Sequence, residues 1–192
     1  MKKHTLTAFL FTVSASAALF AQDAAPTVWK EDFKDGKNYV VQRVDNDKQK
    51  AAKFRKEYKN SNLILYYKFG PKCTPTVQGT FVYGVAKPID LKGGTVLEIC
   101  YRTPITGIGN IMTWTYTDAA GKQFGDWTRL PESEGWKTLR FEMDKGGFGG
   151  KKKAKPAPVK LTALDIYSSP KHDDVERSIE IDYIAVLAPA KK

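Results

Sequence analysis

Apolar and polar residues alternate over many short segments of this chain, and a period of two is typical of a half-buried β-strand. These segments are rich in Val, Ile, Thr and aromatic residues, and Gly, Pro, Asn or Asp separate them. The alternation predicts strands over residues 27–33, 38–44, 62–69, 77–86, 95–103, 110–118, 135–143, 160–168 and 178–187.

One long segment between two predicted strands has a different pattern. Residues 45–60 are charged on nearly all sides, which leaves open a short surface helix or a loop. Residues 118–123, DAAGKQ, have the composition of a hairpin turn. Because about nine strands occur without a periodic helical partner, the pattern predicts an all-β antiparallel sandwich or barrel with few or no helices.

The N-terminal segment is typical of a secretory signal peptide. Two lysines precede an apolar run over residues 6–20, and small residues then lead into a polar stretch, with cleavage expected after Ala21 or alternatively after Ala17. The apolar run is shorter than the ~20 residues of a spanning helix. We therefore expect an exported protein (periplasmic, at the cell surface or secreted) without a transmembrane segment, divided into a signal peptide over 1–22, one β-sandwich domain over 23–187 and a disordered tail over 188–192.

The chain is basic, with a formal net charge of +10 at pH 7. An exported basic protein associates with anionic partners such as acidic or sulfated glycans, lipid head groups or cell-wall polymers. No nucleic-acid motif is present, so we expect no nucleic acid as a partner. The segment GGFGGKKKAKPAPVK over 146–160 is either a solvated insertion or a contact for a polyanion, and its basic residues are Lys151, Lys152, Lys153 and Lys155.

Two cysteines, Cys73 and Cys100, form the whole cysteine inventory. In an exported chain such a pair is compatible with one disulfide. Cys100 also lies in an apolar strand segment, where a buried thiol is equally compatible with the sequence. Both alternatives stay open at this stage.

Residues that carry catalysis or bind metal are sparse. Beyond the signal segment the chain has one histidine, His172, which together with two cysteines gives no zinc site. No Gly-rich phosphate loop occurs at a strand-to-helix junction. We expect a protein that is not an enzyme; the one enzymatic alternative is glycoside cleavage by paired carboxylates, for which the candidates are Glu98, Asp126, Glu132, Glu134 and Glu142.

Aromatic residues form the most suggestive group. A flat aromatic side chain covers the C–H face of a sugar ring, and Tyr and Trp keep a polar edge for nearby hydroxyls. The alternative for each aromatic residue is packing in the core of a sandwich. The candidate ligand-binding residues are Trp114 and Tyr116 on one face of a strand, Trp127 across the hairpin, and Asp126 and Arg129 as polar neighbours.

The order of several short motifs resembles that of jelly-roll domains with a galactose-binding-like fold. The motifs are DFKDG, LEICYRT, TWTYTDAAGKQFGDW, GWKTLRFEM, KLTALDIYSS and the closing IEIDYIAVL. Many carbohydrate-binding modules of exported bacterial proteins belong to this group. The resemblance implies an antiparallel jelly-roll β-sandwich and non-catalytic binding of a glycan or anionic surface polymer; the alternative is a structural or adhesion component of the cell envelope that acts through protein–protein contacts.

The resemblance also bears on metal. Relatives with a structural calcium hold it between the opening segment and the Asp of the closing strand, which correspond here to Asp32 and Asp182. Relatives often have an acid where this chain has Lys34. Calcium needs six to eight oxygen ligands, so a lysine there favours an ammonium that takes the place of the cation and pairs with Asp182. We expect no cofactor, with calcium as the alternative, and we expect Asp182 to join the two ends of the sandwich.

Overall fold

In the computed structural model every regular element among the described residues is a β-strand, as the alternation predicted. No described helix is long and apolar enough to cross a membrane. The described residues are 25–34, 40–44, 52–70, 79–83, 88–145, 155–170 and 173–189. The signal segment, Cys73, Lys151–Lys153 and His172 lie outside them.

The strands form two antiparallel six-stranded sheets. The strands of the first sheet are β1 Thr27–Glu31, β3 Ala52–Lys59, β4 Asn62–Phe69, β7 Val96–Arg102, β10 Lys137–Glu142 and β12 Glu176–Leu187. Those of the second are β2 Val40–Val44, β5 Gly79–Tyr83, β6 Ile89–Asp90, β8 Ile108–Thr117, β9 Gln123–Leu130 and β11 Lys160–Pro170.

The order of the strands is that of a jelly-roll sandwich. The first sheet runs β10-β7-β12-β4-β3 with β1 beside β12, and the second runs β2-β5-β11-β8-β9 with β6 beside β11. The chain therefore passes repeatedly from one sheet to the other, and the first and last strands pair in the same sheet. The hairpin predicted at residues 118–123 joins β8 to β9.

The core lies between the two sheets and follows directly from the period of two. On β4, Leu63 and Leu65 are buried, and on β8 the same is true of Met112, Trp114 and Tyr116. Each large apolar side chain removed from water stabilises the fold by about 1.5–3 kcal/mol. The inward row of each strand is thus the main source of stability.

The interpretation of residues 45–60 as a helix or loop was wrong for its second half. Residues 52–59 form β3, which pairs with β4 from Ala52 opposite Phe69 to Lys59 opposite Asn62. The two-residue turn at Asn60 and Ser61 has positive φ at both positions (54° and 62°), as a tight hairpin requires. Cross-strand pairing with an apolar neighbour thus overrides the weak local pattern of a charged edge strand.

A β-bulge explains the carboxylate in the middle of the closing strand. The pairing of β12 with β7 shifts between Ile181 and Tyr183, so Asp182 is the extra residue. Before the bulge Ile179 and Ile181 are buried, and after it Ile184 is. The bulge lies where β12 stops pairing with β4 and starts pairing with β1.

Candidate functional site

The outward side of the second sheet carries a grid of six residues on three neighbouring strands. Asp165 of β11 lies opposite Thr113 of β8, which in turn lies opposite Trp127 of β9. A second row lies two residues away on each strand. We call this surface the outer grid; its first row is Asp165, Thr113 and Trp127, and its second row is Tyr167, Ile111 and Arg129.

The alternation of β8 and β9 decides which side chains belong to the outer grid. Met112 and Trp114 are buried between the sheets, so Thr113 between them faces outwards. On β9, Trp127 is 37% exposed and Arg129 is exposed as well. The grid therefore presents one indole and one guanidinium to solvent on the same strand.

The backbone sets the size of the grid. Neighbouring strands lie about 4.8 Å apart, and residues i and i+2 of one strand lie about 6.7 Å apart. Three strands and two rows therefore span about 10 Å by about 7 Å between Cα positions. Aromatic, cationic, anionic and hydroxyl groups are all present within that area.

A hydrogen bond fixes the carboxylate of the grid. Thr113 Oγ1 donates to Asp165 Oδ2 over 3.1 Å. One oxygen of Asp165 is thereby held beside the middle strand of the grid, as an acceptor of defined position.

An ion pair supports the strand that carries Trp127. Lys155 Nζ lies 2.6 Å from Asp126 Oδ2 and donates to Gly125 O over 2.9 Å. The other oxygen of Asp126 accepts the backbone N–H of Trp127 at 2.8 Å. Side chains therefore satisfy backbone groups on the open edge of β9, which hinders pairing with a further strand.

Three of the five predicted ligand-binding residues do not lie on the outer grid. Trp114 and Tyr116 are 2% and 0% exposed because their side of β8 faces the first sheet. The Trp114 ring stacks on Phe141 at 5.6 Å, and the Tyr116 hydroxyl donates to Pro156 O over 3.1 Å. Burial raises the pKa of Tyr116 to about 12. Both are core residues, and Asp126 is engaged with Lys155 as described above.

One of the four lysines predicted to contact a polyanion has a structural role instead. Lys155 is bound to Asp126, and its side chain is only 24% exposed, so it is a structural cation and not one presented to solvent. The backbone N–H of Lys155 also donates to Asp144 O over 2.8 Å. Lys151, Lys152 and Lys153 lie outside the described residues and stay a prediction.

At the joined termini, Lys34 pairs with Asp32 and not, as expected, with Asp182. Lys34 Nζ lies 2.9 Å from Asp32 Oδ2. The hydrogen bond to Asp32 raises the pKa of Lys34, and the charge of Asp182 raises it further. Among the described residues no group of three or more His, Cys, Asp or Glu is arranged to hold a metal ion.

Cys100 lies on the outward side of the first sheet, with its side chain half-buried. Burial raises its pKa, and a hydrogen bond with Thr138 opposes that shift. Its predicted disulfide partner, Cys73, lies outside the described residues, so the pairing is untested.

Four of the five carboxylates considered for glycoside cleavage are engaged within the fold. Glu98 accepts from Arg140 and from the Tyr183 hydroxyl, and Glu132 accepts the backbone N–H of Gly107 at 2.6 Å. Glu142 pairs with Lys145, and Asp126 pairs with Lys155. Glu134 is exposed.

Sequence reasoning missed four of the six members of the outer grid, namely Ile111 and Thr113 on β8 and Asp165 and Tyr167 on β11. The signal was present in KLTALDIYS, where Leu164 and Ile166 are buried and the residues between and after them face outwards. Register across three strands was needed to bring Asp165 into one row with Trp127, and register is not readable from a single strand.

No protein-family model and no curated protein matches this sequence. Solved structures do match its fold. The module CtCBM11, whose dynamics and binding were studied in solution, aligns with a TM-score of 0.59 at 11% identity over 88% of this chain and 99% of that one.

Two further solved structures have a similar fold. The family 11 carbohydrate-binding module of the cellulosomal cellulase Lic26A-Cel5E of Clostridium thermocellum has a TM-score of 0.50 at 10% identity, over 86% of this chain and 95% of that one. The Spr0440 glycoside hydrolase domain, Endo-D, of Streptococcus pneumoniae R6 has a TM-score of 0.53 at 12% identity, over 80% of this chain and only 22% of that one. At these identities the likeness concerns the fold, and the chain has the jelly-roll fold of carbohydrate-binding modules that its motif order predicted.

Proposed function

We propose that this chain is an exported bacterial protein that binds a carbohydrate on the outer grid without cleaving it. The observation that carries the proposal is Trp127, an indole left 37% exposed on a sheet surface beside Arg129 and in one row with Asp165. The exported setting rests on the N-terminal signal pattern. The fold shared with carbohydrate-binding modules is consistent with this role.

The chemistry of the outer grid suits a sugar ring. Trp127 offers an apolar plane for the C–H groups of the ring, and an aromatic side chain loses little conformational entropy on binding. Asp165 accepts hydrogen bonds from hydroxyl groups, and Arg129 donates them. Because these groups stand on paired strands and not on loops, the site is largely preformed.

The state of the carboxylates supports binding without cleavage. Glycoside cleavage needs two carboxyl groups that flank one bond. The outer grid contains a single one, Asp165, and the candidates Glu98, Asp126 and Glu142 each hold a cation elsewhere in the fold.

The second candidate, protein–protein contact in the envelope, rests on the loop end of the sandwich. Ile105 and Val175 are 46% and 42% exposed there. The buried Arg177 guanidinium holds both loops, since it donates to Thr106 O over 2.9 Å and binds Asp173 through two nitrogens. A rigid aliphatic pair fits a protein surface better than a sugar ring.

A glycan array with the mature protein, followed by calorimetry on the glycans that bind, tests the first candidate. Trp127→Ala should lower the affinity at least about tenfold, as truncation of a central aromatic anchor does. The matched control is Trp136→Ala, because Trp136 is also exposed (44%) but lies by the first sheet. It should bind as the unchanged protein does.

Equal losses in both variants would place the site elsewhere. Absence of binding to every glycan, together with a partner lost on Ile105→Ser, would favour the envelope contact.

A further inference from the structure

Among the arginines whose side chains the structure describes, one differs from the others in its ion pairing. The chain has six arginines, and Arg43 has no described side chain. Four of the remaining five are in ion pairs, namely Arg55 with Glu176, Arg102 with Glu180, Arg140 with Glu98, and Arg177 with Asp173. The fifth, Arg129, has no ion-pair partner among the described residues.

Arg129 is also the arginine of the outer grid. It follows Trp127 by two residues on β9, so both side chains leave the same face about 6.7 Å apart. Ile111, directly opposite on β8, cannot neutralise its charge.

The carboxylate of the grid lies too far away to serve Arg129. Asp165 is two strands away and one row along, which places its Cα about 12 Å from that of Arg129. Asp165 moreover accepts a hydrogen bond from Thr113. The two charges therefore stand at opposite corners of the grid, with Trp127 in the same row as Asp165.

We propose that Arg129 binds an anionic substituent of the glycan, a uronic-acid carboxylate or a sulfate ester, while the sugar ring lies on Trp127. This inference rests on the proposed function and names the substrate class of that same site. A guanidinium presents a planar fork of donors that matches two oxygens of a carboxylate or sulfate, whereas an ammonium is only a point charge.

The test compares charge at this position with charge elsewhere on the protein. The variants are Arg129→Gln, Arg129→Lys and the matched control Lys59→Gln, which removes one exposed positive charge from the far edge of the first sheet. The probes are polygalacturonic acid, its carboxyl-reduced neutral derivative, and a sulfated galactan with its desulfated form. Affinity electrophoresis at two salt concentrations and the melting temperature are measured for each.

Arg129→Gln should weaken binding of the carboxylated or the sulfated polymer at least about tenfold, the scale of a lost charge-assisted pair. Its affinity for the neutral derivative and its melting temperature should not change. Arg129→Lys should recover only part of the loss, because the fork is absent. Whichever polymer responds identifies the substituent, and Lys59→Gln should leave both affinities unchanged.

An equal loss for Lys59→Gln would reduce the effect to net charge and overturn the inference. So would neutral polymers binding as tightly as their acidic counterparts, a result that leaves sugar binding itself standing. If Trp127→Ala changes none of these affinities, the proposed function fails, irrespective of Arg129.

Discussion

The outward sides of the two sheets differ in how their charges are used. On the first sheet Arg102 binds Glu180 at 2.6 Å, and the same guanidinium lies over the ring of Trp136 at 4.9 Å. Arg140 and the Tyr183 hydroxyl both donate to Glu98, which is 7% exposed. These charged groups are thus paired with one another on the surface of the first sheet.

The outer grid of the second sheet is organised differently. Its described polar contacts include the Thr113–Asp165 hydrogen bond, while Trp127 and Arg129 face solvent. Closed ion-pair networks restrict side chains, whereas an aromatic ring and a guanidinium presented to water keep their interactions for a ligand. The comparison teaches that the first sheet's outward side pairs these charges within the fold, whereas the second sheet's leaves an indole and a guanidinium exposed, which is why we propose the second for recognition.

The largest expected effect is loss of stability at alkaline pH, through groups that do not belong to the outer grid. Burial raises the pKa of Tyr101, Tyr116 and Tyr183 to about 12. The unfolded phenols ionise near pH 10, so above that value the unfolded state holds fewer protons than the native state. The three tyrosines therefore contribute their full stabilisation below about pH 10, and the free energy of unfolding falls as the pH rises from there towards 12.

Urea unfolding from about pH 8 to about pH 12, with tyrosinate absorbance followed in parallel, measures this loss. Early ionisation of all nine tyrosines in the native protein, without loss of stability, would contradict it.

The next effect is a break in the first sheet's network. Glu98→Ala removes the acceptor of the Tyr183 hydroxyl and the partner of Arg140. We expect a loss of about 2 kcal/mol, since hydrogen bonds to charged groups contribute about 1.5–3 kcal/mol. The melting temperature should fall by about 4–8 °C, with glycan affinity unchanged. A loss of affinity at unchanged stability would reverse the roles assigned to the two surfaces.

Two variants, one on each surface, test the same comparison with smaller expected effects. Asp165→Asn, on the outer grid, should lower glycan affinity about fivefold, or roughly 1 kcal/mol. Glu180→Gln, which weakens the pair with Arg102, should lower the melting temperature by a few degrees and leave affinity alone. For both variants, calorimetry measures the affinity for the tightest-binding glycan of the array, and thermal unfolding measures the melting temperature. The assignment fails if each variant changes both quantities equally.

A smaller effect is expected from the basic segment. Replacing Lys151, Lys152 and Lys153 with serine should weaken retention on a heparin-like resin in a salt-dependent manner, because the Debye length is about 8 Å at physiological ionic strength. Stability should move by less than ~0.5 kcal/mol. Lys155→Ser, by contrast, should lower stability through loss of the pair with Asp126. If the triple variant elutes at the same salt concentration as the unchanged protein, the segment is a solvated insertion and not a contact for a polyanion.

The smallest expected effect is that of calcium. Lys34 already places a positive charge beside Asp32 and near Asp182. Melting temperatures measured with EDTA and with millimolar calcium should therefore agree within about two degrees, since a ligand of the native state alone would raise stability by mass action. A calcium-dependent rise of about ten degrees would reveal a filled site.

Much of the fold followed from local pattern. Alternation predicted the inward row Met112–Trp114–Tyr116 as one face, and the composition of residues 118–123 predicted the hairpin that brings Trp127 beside β8. Both signals depend on neighbouring residues only, so a single sequence contains them. The order of the motifs was enough to predict the jelly-roll class.

The roles of particular residues depended on tertiary structure. Alternation with a period of two shows which side chains share a face but not which face is buried. The pattern alone therefore could not distinguish the buried Trp114 from the exposed Trp127. The pairing of β3 with β4, the bulge at Asp182 and the pair between Lys155 and Asp126 all join segments whose sequences are separately uninformative.

The sequence by itself determined a basic, all-β chain with a signal-like N-terminus, because composition and alternation are local properties. Only the tertiary structure decided that Trp127, Arg129 and Asp165 share a surface while Trp114 and Tyr116 form the core. The physical reason is that burial and cross-strand register are set by pairing between strands far apart in the chain, and each strand alone is compatible with either face.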